Sequence, residues 1–151
     1  MTATGHAVIG TVIAATVRDP VIAIPIAVVS HFAADLFPHW DTATHWREKG
    51  KQKLYRDSIM DGFLALFLVW VLTEFVFPGT SLIYAIIIVI FALLPDILTA
   101  PYLFLNSKFP PFLWAYKFQK LFDSKLDKPW GIIGQTILVL GIVIIGILIY
   151  K

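Results

Sequence analysis

The residues of this chain that could bind a metal or move a proton are concentrated in one segment, residues 30–41, with the sequence SHFAADLFPHWD. His31 and Asp35 are four positions apart, so on a helix they share one face. The proline that follows ends this helix and leaves His39 and Asp41 on a turn just beyond it. Ionisable groups at the end of an apolar helix are costly unless they pair with each other or with a metal. The segment therefore predicts one half of a polar site inside a membrane protein.

The composition is typical of an integral membrane protein. Of the 151 residues, 58% are hydrophobic and only 15% are charged, whereas soluble domains carry about 25% charged residues. This length suits one compact bundle, so we expect a single domain over residues 1–151. The net charge of +2 is too small to favour nucleic acid as a partner.

The absence of cysteine limits the chemistry of any metal site. Neither a disulfide framework nor a thiolate site is possible. A metal would have to bind histidine nitrogens and carboxylate oxygens, a donor set that suits a divalent ion. We expect zinc, with manganese or magnesium as alternatives.

Five apolar segments predict an all-α integral membrane bundle of about five transmembrane helices. The segments are residues 7–17, 20–37, 54–77, 81–104 and 130–150. The first is short for a hydrocarbon core of roughly 30 Å, whereas the last carries no formal charge and is the clearest span. Between the last two, residues 114–126 have the amphipathic pattern of an interfacial helix, which lies in the headgroup layer.

The basic residues predict the orientation of the bundle. Five Lys or Arg residues lie between the second and third helices, and five more lie between the fourth and fifth. The positive-inside rule places both loops in the cytoplasm, so the N-terminus is cytoplasmic and the C-terminus lies outside. We expect the protein to reside in a prokaryotic cytoplasmic membrane.

This orientation places nearly all ionisable groups of the spans in the cytoplasmic half of the membrane, where a shared cavity would explain them; Glu74, near the outer end of the third helix, is the exception. Some of these groups could have a purely structural role instead of binding a metal. His6 could cap a helix, and His31 could form a hydrogen-bonded pair with Asp35. Asp61 could stabilise a helix N-terminus by its negative charge. Asp96 lies in an otherwise uncharged helix and is the hardest to explain structurally.

Such a cavity would contain enough ligands for one metal or two. The candidate ligands are His6, His31, Asp35, Asp61 and Asp96. A catalytic zinc keeps one position open for water, and two bridged metals would stabilise the attacking and leaving oxygens of a phosphoester. At the level of the headgroups, the accessible scissile bond would belong to a lipid.

Three short motifs resemble those of the inner-membrane metal-dependent hydrolases, which are themselves similar to the zinc-dependent phospholipase C fold. The motifs are TGH at 4–6, SHFAAD at 30–35 followed by FP at 37–38, and LLPDI at 93–97. The resemblance implies hydrolysis, and metal binding by His6, His31, Asp35 and Asp96. Family members continue the last motif with Asp and His ligands, and in this divergent chain His39 and Asp41 could supply the missing ones.

We therefore expect a metal-dependent hydrolase that acts on a lipid ester or phosphoester at the cytoplasmic face, with membrane lipids or a lipid-linked substrate as partners. Asp61 would bridge the metals or act as general base, and His39 would donate a proton.

One alternative is a small transporter that relays protons or metal ions through the same groups; another is a non-catalytic scaffold held by a polar network. The transporter needs a polar path to the outer leaflet, for which the sequence offers only Glu74 and Gln135.

Overall fold

The computed structural model describes residues 1–150 and shows an all-helical protein, which confirms the predicted fold class. Its eight α-helices are α1 Ala3–Thr16, α2 Pro20–Asp35, α3 Trp46–Lys49, α4 Lys51–Val71, α5 Leu82–Ala92, α6 Leu94–Leu105, α7 Pro110–Gln119 and α8 Trp130–Ile149. A π-helical turn, Leu72–Val76, continues α4.

Two helices are long and apolar enough to cross a membrane. They are α4 together with its π-helical turn, Lys51–Val76, and α8, Trp130–Ile149. Helices α5 and α6 together would form a third span, bent by 56° at their junction. Helices α1 and α2 are apolar but shorter, with 14 and 16 residues. The membrane character is confirmed at this level, and the five crossings stay a prediction.

Helix α1 lies at the centre of the bundle. It is buried along most of its length and packs against α2, α4, α5 and α8. Its small residues allow this close approach: a Cβ at Gly10 would lie 3.1 Å from the Val89 Cα of α5. Because α1 is surrounded by other helices, His6 in its first turns faces the interior of the bundle.

Helix α2 turns one face towards this centre. Asp19 caps its N-terminus by accepting a hydrogen bond from the Val21 N–H at 2.9 Å. The buried face consists of Ala23, Ala27, His31, Ala34 and Asp35. The predicted sharing of one face by His31 and Asp35 is therefore found. The helix ends at Asp35, two residues before the predicted end at residue 37.

The single helix predicted over residues 81–104 is in fact two helices. Helix α5 ends at Ala92, and α6 begins at Leu94 with Pro95 in its first turn. Proline lacks the N–H that would continue the helical bonding, and its ring clashes with the preceding turn. Asp96 consequently lies at a bend, and its side chain is 37% exposed, instead of deep inside a straight span.

The amphipathic helix predicted over residues 114–126 begins and ends earlier, as α7, and is followed by a loop. That loop returns to the end of α2. Ser124 N donates to the Asp35 carbonyl at 2.9 Å, His39 N donates to the Ser124 carbonyl at 3.0 Å, and Leu126 N donates to the His39 carbonyl at 2.7 Å. These backbone bonds fix the loop beside Asp35 and His39.

Helix α8 packs against the backbone of this loop and of the turn that carries His39. A Cβ at Gly131 would lie 2.1 Å from the Leu126 carbonyl oxygen and 2.8 Å from the Trp40 amide nitrogen. A Cβ at Gly134 would lie 3.1 Å from the Pro38 carbonyl oxygen. The first turns of α8 therefore contact backbone on both sides of His39, which only glycine permits.

This contact predicts that Gly131→Ala lowers the thermal stability of the detergent-solubilised protein. The added methyl group meets backbone that cannot rotate away, and overpacking of this kind costs about 1–3 kcal/mol. Gly141→Ala is the matched control in the same helix, because nothing lies within 4 Å of its Cβ position. It should be neutral or stabilising through helix propensity. Equal melting temperatures for the two variants would contradict the proposed close contact.

Candidate metal centre

The carboxylate of Asp35 is buried among three imidazole rings. The Nε2 atoms of His6 and His39 lie 3.2 Å and 3.7 Å from its Oδ1, and the Nε2 of His31 lies 3.4 Å from its Oδ2. The amino group of Met1 also contacts this carboxylate. All of these side chains are almost completely inaccessible to solvent. So dense a group of ionisable atoms inside an apolar bundle requires charge compensation.

Hydrogen bonds to the backbone orient two of the rings. His31 Nδ1 lies 2.8 Å from the Ala92 carbonyl oxygen, and His39 Nδ1 lies 2.8 Å from the Phe37 carbonyl oxygen. A carbonyl oxygen only accepts, so each Nδ1 carries a proton, and in the neutral ring Nε2 then carries a lone pair. The Nε2 of His31 has a donor in the side-chain amide of Gln119 at 3.0 Å, whereas the Nε2 of His39 faces only the carboxylates of Asp35 and Asp123, which are also acceptors. His39 and these carboxylates repel each other unless a cation or a proton lies between them.

Two of the buried ring nitrogens lack a hydrogen-bond partner among residues 1–150. They are Nε2 of His6 and Nε2 of His39. The Nε2 of His6 is close to Asp35 but is not aligned for a hydrogen bond. Leaving a buried polar atom unsatisfied costs about 1–3 kcal/mol. Coordination of a metal would satisfy such nitrogens, as it does in histidine-ligated sites.

The spacing of the ligand atoms also fits a metal ion. His6, His31 and Asp96 offer ligand atoms that lie within 4.8 Å of one another, and Asp35 lies beside both rings. Bonds of about 2.0–2.2 Å in tetrahedral geometry place neighbouring ligand atoms about 3.4 Å apart. The nitrogen–oxygen separations in this cluster are 3.2 Å, 3.4 Å and 3.7 Å. This first cluster could therefore hold a divalent metal.

Asp96 is the solvent-facing member of the first cluster. The side-chain amide of Gln119, the last residue of α7, donates to Asp96 Oδ1 at 2.7 Å and lies 3.0 Å from His31 Nε2. A metal on His31 Nε2 would displace the second of these contacts and leave the first in place. Gln119 therefore orients the Asp96 carboxylate while its other oxygen stays free.

A second cluster consists of His39, Asp41 and Asp123, whose ligand atoms also lie within 4.8 Å of one another. Lys125 already provides a cation here, because its Nζ lies 2.7 Å from Asp41 Oδ2 and 3.5 Å from Asp123 Oδ2. Burial opposes ionisation, but the two carboxylates outweigh it and raise the pKa of Lys125 above its usual value. Burial likewise opposes ionisation of Asp41, yet the Lys125 ammonium lowers its pKa. The first cluster is therefore the stronger candidate for a metal.

The structure brings most of the predicted site residues together. His6, His31, Asp35 and Asp96 form the first cluster, and His39 and Asp41 belong to the second. Asp61 lies in neither cluster. It accepts hydrogen bonds from Ala3 N at 2.7 Å and from Thr4 Oγ1 at 2.5 Å. This carboxylate therefore ties the start of α1 to α4, at the helix end where a negative charge is favourable.

Three residues of the two clusters' surroundings were not predicted from the sequence: Gln119, Asp123 and Lys125. All three lie within residues 114–126, the segment that was predicted to form an interfacial helix in the headgroup layer. The available signal was Asp123, since it and Asp127 are the only acidic residues between positions 106 and 129.

A cavity of about 570 Å³ lies beside the first cluster. Asp96, Thr99 and Gln119 line one part of it, and Asp123 and Lys125 line another. His39 is fully buried and does not line this cavity. Asp96 is thus the only residue of the first cluster that lines this cavity, and the cavity is large enough for a substrate headgroup.

No protein family, no curated protein and no solved structure matches the chain. The resemblance of its short motifs to the metal-dependent hydrolases therefore stays a prediction.

We expect His31→Ala to lower zinc affinity by more than the roughly 10–100-fold that loss of an outer-shell partner costs. Removal of this ring deletes the imidazole nitrogen that lies within 4 Å of both carboxylates, 3.4 Å from Asp35 and 3.7 Å from Asp96. His45→Ala is the control, because His45 is half exposed and belongs to neither cluster. Elemental analysis of the purified variants measures the bound metal. Equal occupancy in both variants would rule out the first cluster as the site.

We expect Lys125→Met to destabilise the metal-free protein by about 2 kcal/mol, because it removes the counter-ion of two carboxylates that are only partly screened by solvent. Added zinc should then raise the melting temperature of this variant more than that of the parent, since a metal can replace the lysine cation in the second cluster. An identical response in both proteins would show that the second cluster does not accept a metal.

Proposed function

We propose that this protein is a metal-dependent hydrolase of lipid phosphoesters, embedded in a cytoplasmic membrane by about five helices, like the hydrolases that its motifs resemble. The observation that carries the proposal is the convergence of buried, unpaired imidazole nitrogens and carboxylates beside a cavity. A structural network would satisfy these nitrogens internally, whereas the Nε2 atoms of His6 and His39 have no hydrogen-bond partner among residues 1–150.

His6, His31 and Asp35 are the three protein ligands in this proposal. Two histidines and one carboxylate are a known ligand set of catalytic zinc, and three protein ligands leave a position for water. A bound zinc would supply a water molecule with a pKa of about 7 and would polarise the scissile phosphoester. The backbone bond from His31 Nδ1 fixes the direction of its ring, as outer-shell partners do in such sites.

Asp96 takes the proton from the attacking water. It is the cluster carboxylate that reaches the cavity, and Gln119 holds one of its oxygens while the other remains available. This role replaces the one expected for Asp61, whose oxygens are engaged by the start of α1. It also replaces the one expected for His39, which is fully buried beside Asp35 and Asp123 and does not line the cavity.

Asp96→Asn tests this role because it keeps the shape of the side chain and removes its basicity. We expect turnover of a phosphodiester to fall by about 10²–10⁴-fold while the metal stays bound. Asp127→Asn is the matched control, since Asp127 lines the same cavity but is largely exposed and pairs with His45. Full activity of Asp96→Asn would contradict the role of Asp96 as base, and loss of the metal would make it a ligand.

The proposed orientation places the start of α4 in the cytoplasm and the turn before α5 outside. Single cysteines at Gln52 and Thr80 should then react with an impermeant thiol reagent from opposite sides of the membrane. These positions avoid the neighbouring Gly50 and Gly79, whose positive φ angles of 78° and 96° disfavour a side chain. Labelling of both from one side would overturn the orientation.

A further inference from the structure

A cleft between α4 and α6 opens on the outer surface of the bundle. Its volume is about 500 Å³, and its lining includes Tyr55, Ile59, Ile97, Ala100 and Phe104. Ile59 and Ile97 are both largely exposed. Because α4 is a candidate span and α6 is half of another, apolar side chains exposed here face hydrocarbon in a membrane.

Two further cavities lie between the cleft and the first cluster and share walls with each other. A smaller cavity of about 240 Å³ shares Ser58, Ile97, Ala100 and Phe104 with the cleft. The same smaller cavity shares Asp41, Ala43, Asp96, Thr99 and Leu103 with the cavity beside the first cluster. The three spaces therefore form one row, apolar at the surface and polar at Asp96.

The polar end of this row carries charges of both signs. Arg47, Lys120 and Lys125 line the cavity beside the first cluster, together with five acidic residues, Asp41, Glu48, Asp96, Asp123 and Asp127. Lys125 is paired with Asp41 and Asp123, and Asp127 is paired with His45. The positive charge that favours an anionic phosphoester over an uncharged carboxylic ester here would therefore come from a divalent metal on the first cluster.

Contacts at the mouth hold the two sides of the cleft together. Lys51 Nζ and the Tyr55 hydroxyl both donate to the Phe104 carbonyl oxygen, at 3.2 Å and 2.7 Å. The rings of Tyr55 and Phe104 lie 5.0 Å apart. The mouth thus places an ammonium group and a phenol beside an apolar opening, as in a site that meets lipid headgroups.

We infer that the substrate is an anionic phospholipid that enters sideways from the membrane, between α4 and α6. Its phosphoester lies at Asp96, and an acyl chain remains in the cleft against Ile59, Ile97 and Ala100. This inference rests on the proposed hydrolase function for the chemistry at Asp96, whereas the path itself rests on three adjacent cavities that share lining residues.

Photo-cross-linking tests the path without requiring activity. A diazirine-bearing amino acid replaces Ile97 in the cleft or Leu66 on the exposed face of α4; these side chains are 48% and 57% exposed. The full-length protein is placed in phosphatidylcholine vesicles that contain a minor share of phosphatidylglycerol. We expect Ile97 to capture phosphatidylglycerol several-fold above its share in the vesicle and Leu66 to capture it in proportion. Proportional capture at both positions would overturn the inference.

A blocking variant gives a second readout. Ala100 lines both the cleft and the smaller cavity, so Ala100→Trp should abolish the enrichment at Ile97 and leave the bound metal unchanged. Ala115→Trp is the control, because this alanine lines a separate apolar groove. Ala100→Trp should also lower turnover of phosphatidylglycerol at least tenfold, while hydrolysis of a water-soluble aryl phosphodiester is retained. Undiminished phosphatidylglycerol turnover in Ala100→Trp would overturn the sideways path.

The outcomes separate this inference from the proposed function. Enrichment at Ile97 in a protein that binds no metal would support the lipid path and refute the hydrolase. Metal binding and hydrolysis of the soluble diester, without enrichment at Ile97, would support the hydrolase and refute the path.

Discussion

The buried carboxylate of Asp35 is the constraint on which the rest of the structure depends. A carboxylate without compensation inside an apolar bundle costs several kcal/mol, more than most single contacts contribute. The groups around it come from separate parts of the chain: the Met1 amino group precedes α1, His6 lies on α1, His31 lies on α2 itself and His39 lies on the turn beyond it. The packing of α1 against α2, and the position of the turn that carries His39, thus both depend on the Asp35 carboxylate.

The bend between α5 and α6 connects backbone geometry to the chemistry of the first cluster. The last carbonyl groups of a helix have no intrahelical partner, and Ala92 is the last residue of α5. His31 Nδ1 uses this carbonyl group, so Nε2 is left to face Asp35 and Asp96. The same bend, which begins one residue before Leu94-Pro95, brings Asp96 to the rim of the cavity. Pro95 therefore affects both the ring that would bind a metal and the carboxylate that would act beside it.

Local features of the site could be predicted from the sequence, and distant ones could not. The shared face of His31 and Asp35 follows from helical spacing, and the end of α2 follows from the proline beyond it. By contrast, hydropathy is the same for a straight and a bent helix, so the break at Leu93 and the exposure of Asp96 were missed. Gln119 and Lys125 reach the clusters only because a loop folds back onto the end of α2. In the sequence, the lysine and aromatic residues around Gln119 and Lys125 indicated only an interfacial helix in the headgroup layer.

The return of residues 123–126 to the end of α2, held from behind by Gly131, also determines the order in which the site can assemble. During synthesis the N-terminal parts of a chain are available first. The ligands on α1 and α2, and Asp96 on α6, can therefore meet before the loop with Asp123 and Lys125 exists. Until that loop and α8 have formed, the backbone contacts that fix the loop beside Asp35 and His39 are missing. A metal ion could thus be captured early and enclosed by the last fifth of the chain, so that loading of the site becomes a step of biogenesis.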